Sequence, residues 1–306
     1  MSAVRIIDGY APFASVTLVA GGLSGDNKFR VVTAGGERLF LRISDAAGYD
    51  RRKAEYSMAE SASARGVPTP RPRGFGLCRG GAEFYALYDW VEGRDAAALL
   101  PDLSDASHYA LGRDTGKLLC RLHEQSAPSD AGPWGARHAR TVQARLDAYR
   151  AKPPAHSDAG ELFVRYLETR GAAVADRPQT AVHGDYNAEN LLVASPAIYM
   201  VDFNAHRGAY GDPWYDLANM AWMPEVYPRY QSGQLDGYFG GRPPAAFWDA
   251  LAYYLACTAL AALTDPHGLN GLEDGTYVVN RVLDWTDGLR KTVPSWYAPG
   301  PDGGVG

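Results

Sequence analysis

Alternating apolar and polar positions mark the first ninety residues. In "ERLFLRI" (37–43), Leu39, Leu41 and Ile43 fall on one face and Phe40 and Arg42 on the other, the period of two of a half-buried strand. "SVTLVA" (15–20) and "KFRVVTA" (28–34) read as two more strands around a Gly-rich turn, "GGLSGDN", and "EFYALYDWVEG" (83–93) as a fourth that breaks at Gly93. Between them, "YDRRKAEYSMAESASARG" reads as a helix closed by Gly66, a natural residue just past a helix end. The following "VPTPRPRGFG" is too rich in Pro for a helix or central strand and is expected to be a rigid connector.

After Gly93 the period changes. Leu111, Thr115, Leu118, Leu119 and Leu122 lie on one face of a helix within 107–125. Segments 137–150, 158–175, 247–263 and 277–291 also read as helical, with short strands over 180–204. The expected architecture is α+β with two lobes: a small antiparallel β lobe with one helix over 1–91, and a helical lobe over 92–306. The Pro- and Gly-rich tail 294–306 is expected to fray. Substrate clefts favour the seam between two such lobes.

Composition narrows the class. The chain has 306 residues, 46% hydrophobic and 21% charged, enough for a core and long enough for two lobes. A net charge of −5 argues against a general nucleic-acid binder. Three scattered cysteines, Cys78, Cys120 and Cys257, suggest neither a disulfide framework nor a metal pair, and the seven histidines carry no zinc spacing. "MSAVRIIDGYAPF" lacks a long apolar run, and no stretch of ~18 apolar residues follows. The expectation is a cytoplasmic protein with no membrane association.

One segment carries chemistry. "VHGDYNAENLL" (182–192) places Asp185 five residues before Asn190, and "IYMVDFN" then brings Asp202 behind an apolar run. Phosphoryl transfer from a nucleoside triphosphate needs a carboxylate at the acceptor hydroxyl, Mg2+ across the phosphates, and donors that cradle them. Asp185 is the candidate catalytic carboxylate, and Asn190 and Asp202 are the candidate Mg2+ ligands, hard oxygen donors. Protein kinases present the same order as H-R-D-x-x-x-x-N followed by D-F-G. The plain alternative is a hairpin with polar turn residues. "GGLSGDNKF" is the candidate phosphate loop: Gly21, Gly22 and Gly25 permit close backbone approach and Ser24 adds a hydroxyl. A simple hairpin turn is its alternative.

These motifs resemble those of the aminoglycoside phosphotransferase and choline kinase family, small-molecule relatives of protein kinases. "VHGDYNAENLL" matches its H-G-D-x-x-x-x-N, "GAYGDPWYDLAN" (208–219) its G-D-P-x-x-D-L-A, and "LLCRLHE" (118–124) its L-x-x-L-H helix end. The resemblance implies a protein-kinase-like fold, ATP or GTP as donor and a hydroxylated small molecule as acceptor. Gly184 replaces the Arg of H-R-D, and only ten steps separate Asp202 from Asp212, leaving no room for a phosphorylated switch loop. The resemblance also implies a cation on the third strand, usually Lys but here Arg42, paired with Glu55 on the following helix. It implies base contacts from Asp89 and Val91, with Tyr88 behind the base as a large gatekeeper of the kind associated with GTP use. Asp216 would hold the catalytic loop; a carboxylate in a helix's first turn is the other reading.

The acceptor side is quieter. Asp212, Glu225 and Asp236 are candidate anionic contacts, and Trp222, Tyr227 and Tyr230 candidate stacking rings, with ordinary helix packing as the alternative for each. The leading expectation is a kinase of an aminoglycoside or other hydroxylated antibiotic. Its rivals are a metabolic kinase of the choline, homoserine or sugar type, and a catalytically weak nucleotide-binding module, the last suggested by Arg42 in place of Lys.

Overall fold

A computed structural model describes residues 7, 13–19, 26–152, 157–219, 223–264 and 275–300. Along the chain run β1 (Ser15–Leu18), β2 (Asn27–Val32), β3 (Arg38–Asp45), α1 (Tyr49–Ala64), β4 (Pro72–Cys78), β5 (Glu83–Asp89), β6 (Arg94–Asp95) and α2 (Ala96–Leu99). There follow α3 (Asp105–His123), α4 (Trp134–Arg150), α5 (Asp158–Arg170), α6 (Ala172–Ala175), β7 (Thr180–Ala181), β8 (Leu191–Ala194), β9 (Ala197–Met200) and β10 (Tyr210–Gly211). The last elements are α7 (Pro213–Leu217), α8 (Met223–Val226), α9 (Pro228–Phe239), α10 (Ala245–Thr264) and α11 (Gly275–Thr286). The chain forms two compact units, Met1–Pro101 with His183–Ala209, and Asp102–Val182 with Tyr210–Gly306. The segment 183–209, expected within the helical lobe, thus groups with the sheet.

The first unit is built on an antiparallel five-stranded sheet, ordered β1-β2-β3-β5-β4. Its apolar face buries Val31, Leu39, Leu41, Ile43, Tyr85 and Leu87 with Ile7, Phe13 and Cys78. The alternation in β3 therefore has the expected sense. Phe40, Arg42 and Ser44 project from the other face, where Tyr56 of α1 meets the Tyr88 ring at 5.3 Å. The expected connector is corrected in part: from Pro72 onward the chain is strand β4. It lies at the sheet edge, with a register shift between Pro72 and Gly74, which is where a strand tolerates Pro. A three-stranded sheet, β6-β8-β9, carries the segment around Asn190 and Asp202.

The second unit is helical. Its tightest pair, α3 and α9, faces glycine against backbone. A Cβ at Gly112 or Gly116 would collide with the carbonyl of Tyr230 or Gln234, and one at Gly233 or Gly237 with that of Tyr109 or Arg113. Helix α10 is long and apolar enough to cross a membrane by length and composition, yet most of it is buried, as befits a core helix packed on α4, α5 and α11. The expected frayed tail is tied down as far as it is described. Tyr297 Oη donates to Asp236 (2.6 Å), the Gly300 amide does so at 3.0 Å, and Arg229 donates to the Ala298 carbonyl (2.8 Å).

Candidate active site

The loop 183–190 is organised from its buried histidine outward. The His183 ring is fully buried and stacks on Phe203 with centroids 4.7 Å apart. Its Nδ1 accepts the Asp185 amide (3.3 Å), so its proton sits on Nε2, which donates to the Val201 carbonyl (2.9 Å). The Asn204 amide donates to the His183 carbonyl at 2.9 Å. Gly184 then turns with φ +83°, and a Cβ there would strike the Asn204 carbonyl. The position that carries Arg in H-R-D must therefore be glycine here, for both conformation and space.

Asp185 follows, with its carboxylate held from two sides. Asn187 Nδ2 donates to Oδ1 (3.2 Å) and Asn190 Nδ2 to Oδ2 (2.9 Å) and to the Asp185 carbonyl (2.8 Å). Asn187 also caps the short turn 188–190 by accepting the Glu189 amide at 2.9 Å. Sequence reasoning passed over Asn187; its place two residues after an Asp, opening a turn, is the one signal it gives. Asn190 engages Asp185 through its nitrogen, and among the described residues its amide oxygen has no hydrogen-bond partner. The Asn190 carbonyl accepts the Val201 amide (3.0 Å), tying Asn190 to the residue before Asp202.

Asp202 stands on the hairpin's exit with φ +56°, a conformation uncommon outside glycine and kept where surrounding structure enforces it. Its side chain is held by Arg42, which donates to Oδ1. Burial raises the Asp202 carboxyl, but Arg42 first, then Lys28 and Arg52, outweigh it and leave the group below the usual carboxylate range. A carboxyl whose folded value is depressed contributes stability above its unfolded value and loses it as pH falls through the folded one. Burial likewise lowers the Arg42 guanidinium, and Asp202 and Asp26 more than restore it.

The expected Arg42–Glu55 pair is not made. A relay takes its place: Glu55 accepts from Arg52 (2.8 Å), Arg52 donates to Asp26 (2.7 Å), and Asp26 lies 3.5 Å from Arg42 Nε and accepts from Ser44 Oγ (2.5 Å). Arg42 reaches past α1 to Asp202 because a guanidinium presents donors on several edges, while Arg52 occupies Glu55 one helical turn away.

At the chain's turn out of β5, the Asp89 amide donates to the Arg71 carbonyl (2.9 Å) and its carboxylate pairs with Arg73 (3.0 Å). The Trp90 amide donates to Arg38 (3.1 Å), whereas no backbone hydrogen bond engages Val91 among the described residues. Tyr88 packs between Tyr56 and Phe40, and burial raises its phenol far above the ordinary value. Gly22, Ser24 and Gly25 of the expected phosphate loop, with Gly21, lie outside the described residues.

Several expected acceptor contacts turn inward. Asp212 is fully buried. It accepts from Arg177 Nε (3.0 Å) and Nη2 (3.1 Å), from Tyr254 Oη (2.6 Å) and from the Trp214 amide (3.0 Å). Four donors saturate it, so it is corrected to a structural carboxylate. Asp236 is corrected likewise, since Tyr109, Tyr297 and Gly300 all donate to it. Tyr230 is buried. Asp216, in the first turn of α7, faces His123 Nε2 at 3.2 Å. Glu225 is exposed and pairs with Arg281 and Tyr277, Tyr227 packs on His108 at 5.1 Å, and Trp222 lies outside the described residues.

The donors fit a hard divalent cation. Among the described residues, neither Asp202 Oδ2, on a side chain 44% exposed, nor the Asn190 amide oxygen has a hydrogen-bond partner. Among the described residues no group of three His, Cys, Asp or Glu side chains forms a ready-made metal cage. Mg2+ commonly takes one or two protein oxygens and completes its shell with phosphate and water.

Comparison with known proteins bears on the fold and the family. No curated protein matches the sequence. Among solved structures, a choline/ethanolamine kinase family protein from Mesorhizobium loti superposes with a TM-score of 0.62 at 18% identity, covering 93% of this chain and 92% of that one. An amicoumacin kinase in complex with AMP-PNP and Ca2+ gives 0.57 at 16% identity, covering 91% and 90%. The GDP complex of aminoglycoside 2'-phosphotransferase-IIIa gives 0.62 at 13%, covering 88% and 92%. At these identities the likeness is one of fold, the kinase-like α+β fold. The family model described as the phosphotransferase enzyme family matches residues 15–248. The chain belongs to that family, as a phosphotransferase with an alcohol group as acceptor.

Proposed function

We propose that the protein transfers the γ-phosphoryl group of ATP or GTP to a hydroxyl of a small antibiotic, an aminoglycoside or a similarly hydroxylated compound. The observation that carries the reading is the Asp185 carboxylate, oriented by Asn187 Nδ2 at Oδ1 and by Asn190 Nδ2 at Oδ2. In that state Asp185 orients the acceptor hydroxyl and takes its proton as the oxygen attacks phosphorus. Asn190 and Asp202 would hold Mg2+, which when bound offsets phosphate charge. Arg42 keeps Asp202 ionised and in place. Asp89 and Val91 are assigned to the base edge, Val91 having its backbone groups unengaged, and Tyr88 to the wall behind the base. The acceptor class draws support from fold relatives whose names state aminoglycosides and amicoumacin as substrates.

A nucleotide-consumption screen tests this, run with ATP and GTP separately against aminoglycosides, other hydroxylated antibiotics, and choline-, homoserine- and sugar-type metabolites. Asp185→Asn should lose about two orders of magnitude or more in turnover. Near-native turnover in that variant removes the base assignment, and consumption driven by a metabolite alone removes the antibiotic class.

A further inference from the structure

Two cations stand side by side on the polar face of the five-stranded sheet. Lys28 of β2 is the direct cross-strand partner of Arg42 of β3, and opposite residues of an antiparallel pair project from the same face. Their surroundings differ. Arg42 is only 7% exposed and is bracketed by Asp202 and Asp26. Lys28 is half-buried and has no carboxylate within ion-pair distance among the described residues. Its charge nevertheless reaches both Asp202 and Asp95.

Charge balance separates their tasks. In the relay, three guanidiniums, Arg42, Arg51 and Arg52, face three carboxylates, Asp26, Glu55 and Asp202. That group is charge-balanced within itself and leaves no surplus cation for a triphosphate. Arg42 cannot swing to a phosphate without releasing Asp202, whose Oδ1 it holds, and separating a buried guanidinium from its carboxylate is costly at low dielectric. A free ammonium on a flexible stem has no such commitment and suits a phosphate oxygen as a point charge.

We infer that Lys28 is a phosphate-binding residue of the nucleotide site, and that Arg42 acts as the positioning residue for Asp202. The inference rests on the nucleotide reading above. It relocates the lysine chemistry expected on β3 to the neighbouring strand, one step across the ladder.

Equilibrium binding by titration calorimetry, with and without Mg2+, distinguishes the alternatives. The ligands are ATP, ADP and AMP, and the corresponding guanine nucleotides. Lys28→Met should weaken triphosphate binding about ten- to a hundredfold, diphosphate binding less, and monophosphate binding least. Lys28→Arg should recover most of the loss, and the unfolding midpoint of either variant should match the parent. Triphosphate affinity unchanged in Lys28→Met overturns the inference while leaving the nucleotide reading intact. A parent protein that binds none of these nucleotides overturns the reading itself.

Discussion

Arg52 illustrates how much one side chain can carry outside the reacting groups. It joins Asp26 at 2.7 Å to Glu55 at 2.8 Å, and both acids are buried. Arg52→Met would remove the nearer cation of both carboxylates, leaving Arg42 at 3.5 Å from Asp26 and Arg51 at 4.0 Å from Glu55, a loss of about 1–3 kcal/mol for the hydrogen bonds left unmade. Denaturant unfolding should register it, and a variant as stable as the parent would mean that water already screens the relay. The candidate reacting residues were visible in sequence because Asp185, Asn190 and Asp202 lie at short spacings within one segment. Asp26 and Arg52 were not. In "GDN" and "DRRKAE" they look like ordinary solvated charges, and only proximity gives them partners.

At the scale of elements, close helix packing reverses a local preference. Gly116 lies inside α3, where propensity alone makes Ala better by about 1 kcal/mol. In the folded unit an added Cβ would meet the Gln234 carbonyl of α9, and overpacking of this kind costs about 1–3 kcal/mol. Gly116→Ala should therefore destabilise, with a lowered unfolding midpoint as the readout. A stabilised variant would show that the two helices separate readily. The strands and helices themselves followed their periods closely, with β3, α1, α3 and α10 near the expected bounds. Edge strand β4 escaped because prolines, which argue against a central strand, are tolerated where one side of the ladder needs no donor. At the last residue of α11, Thr286 Oγ1 donates to the Val282 carbonyl and accepts the Leu289 amide, and the helix ends before the expected position.

Across the whole molecule, the metal site is expected to be a property of the loaded state. Without three clustered ligands among the described residues, the cation gains little from the protein alone. Chelation by EDTA should abolish phosphoryl transfer yet leave the nucleotide-free unfolding midpoint where it was, since a ligand that does not bind the native state cannot stabilise it. A midpoint that falls on chelation would reveal a structural ion instead.

The sequence alone determined the succession of elements, the apolar face of β3, and the gathering of Asp185, Asn190 and Asp202 into one short segment. Each of these is written in spacings of a few residues, which periodicity and short motifs record directly. Tertiary structure decided which charges meet. It gave Arg42 to Asp202 rather than Glu55, sealed Asp212 and Asp236 inside with their donors, and set Lys28 beside Arg42. Ion pairing depends on distance and local dielectric, and both are set by segments far apart in the chain.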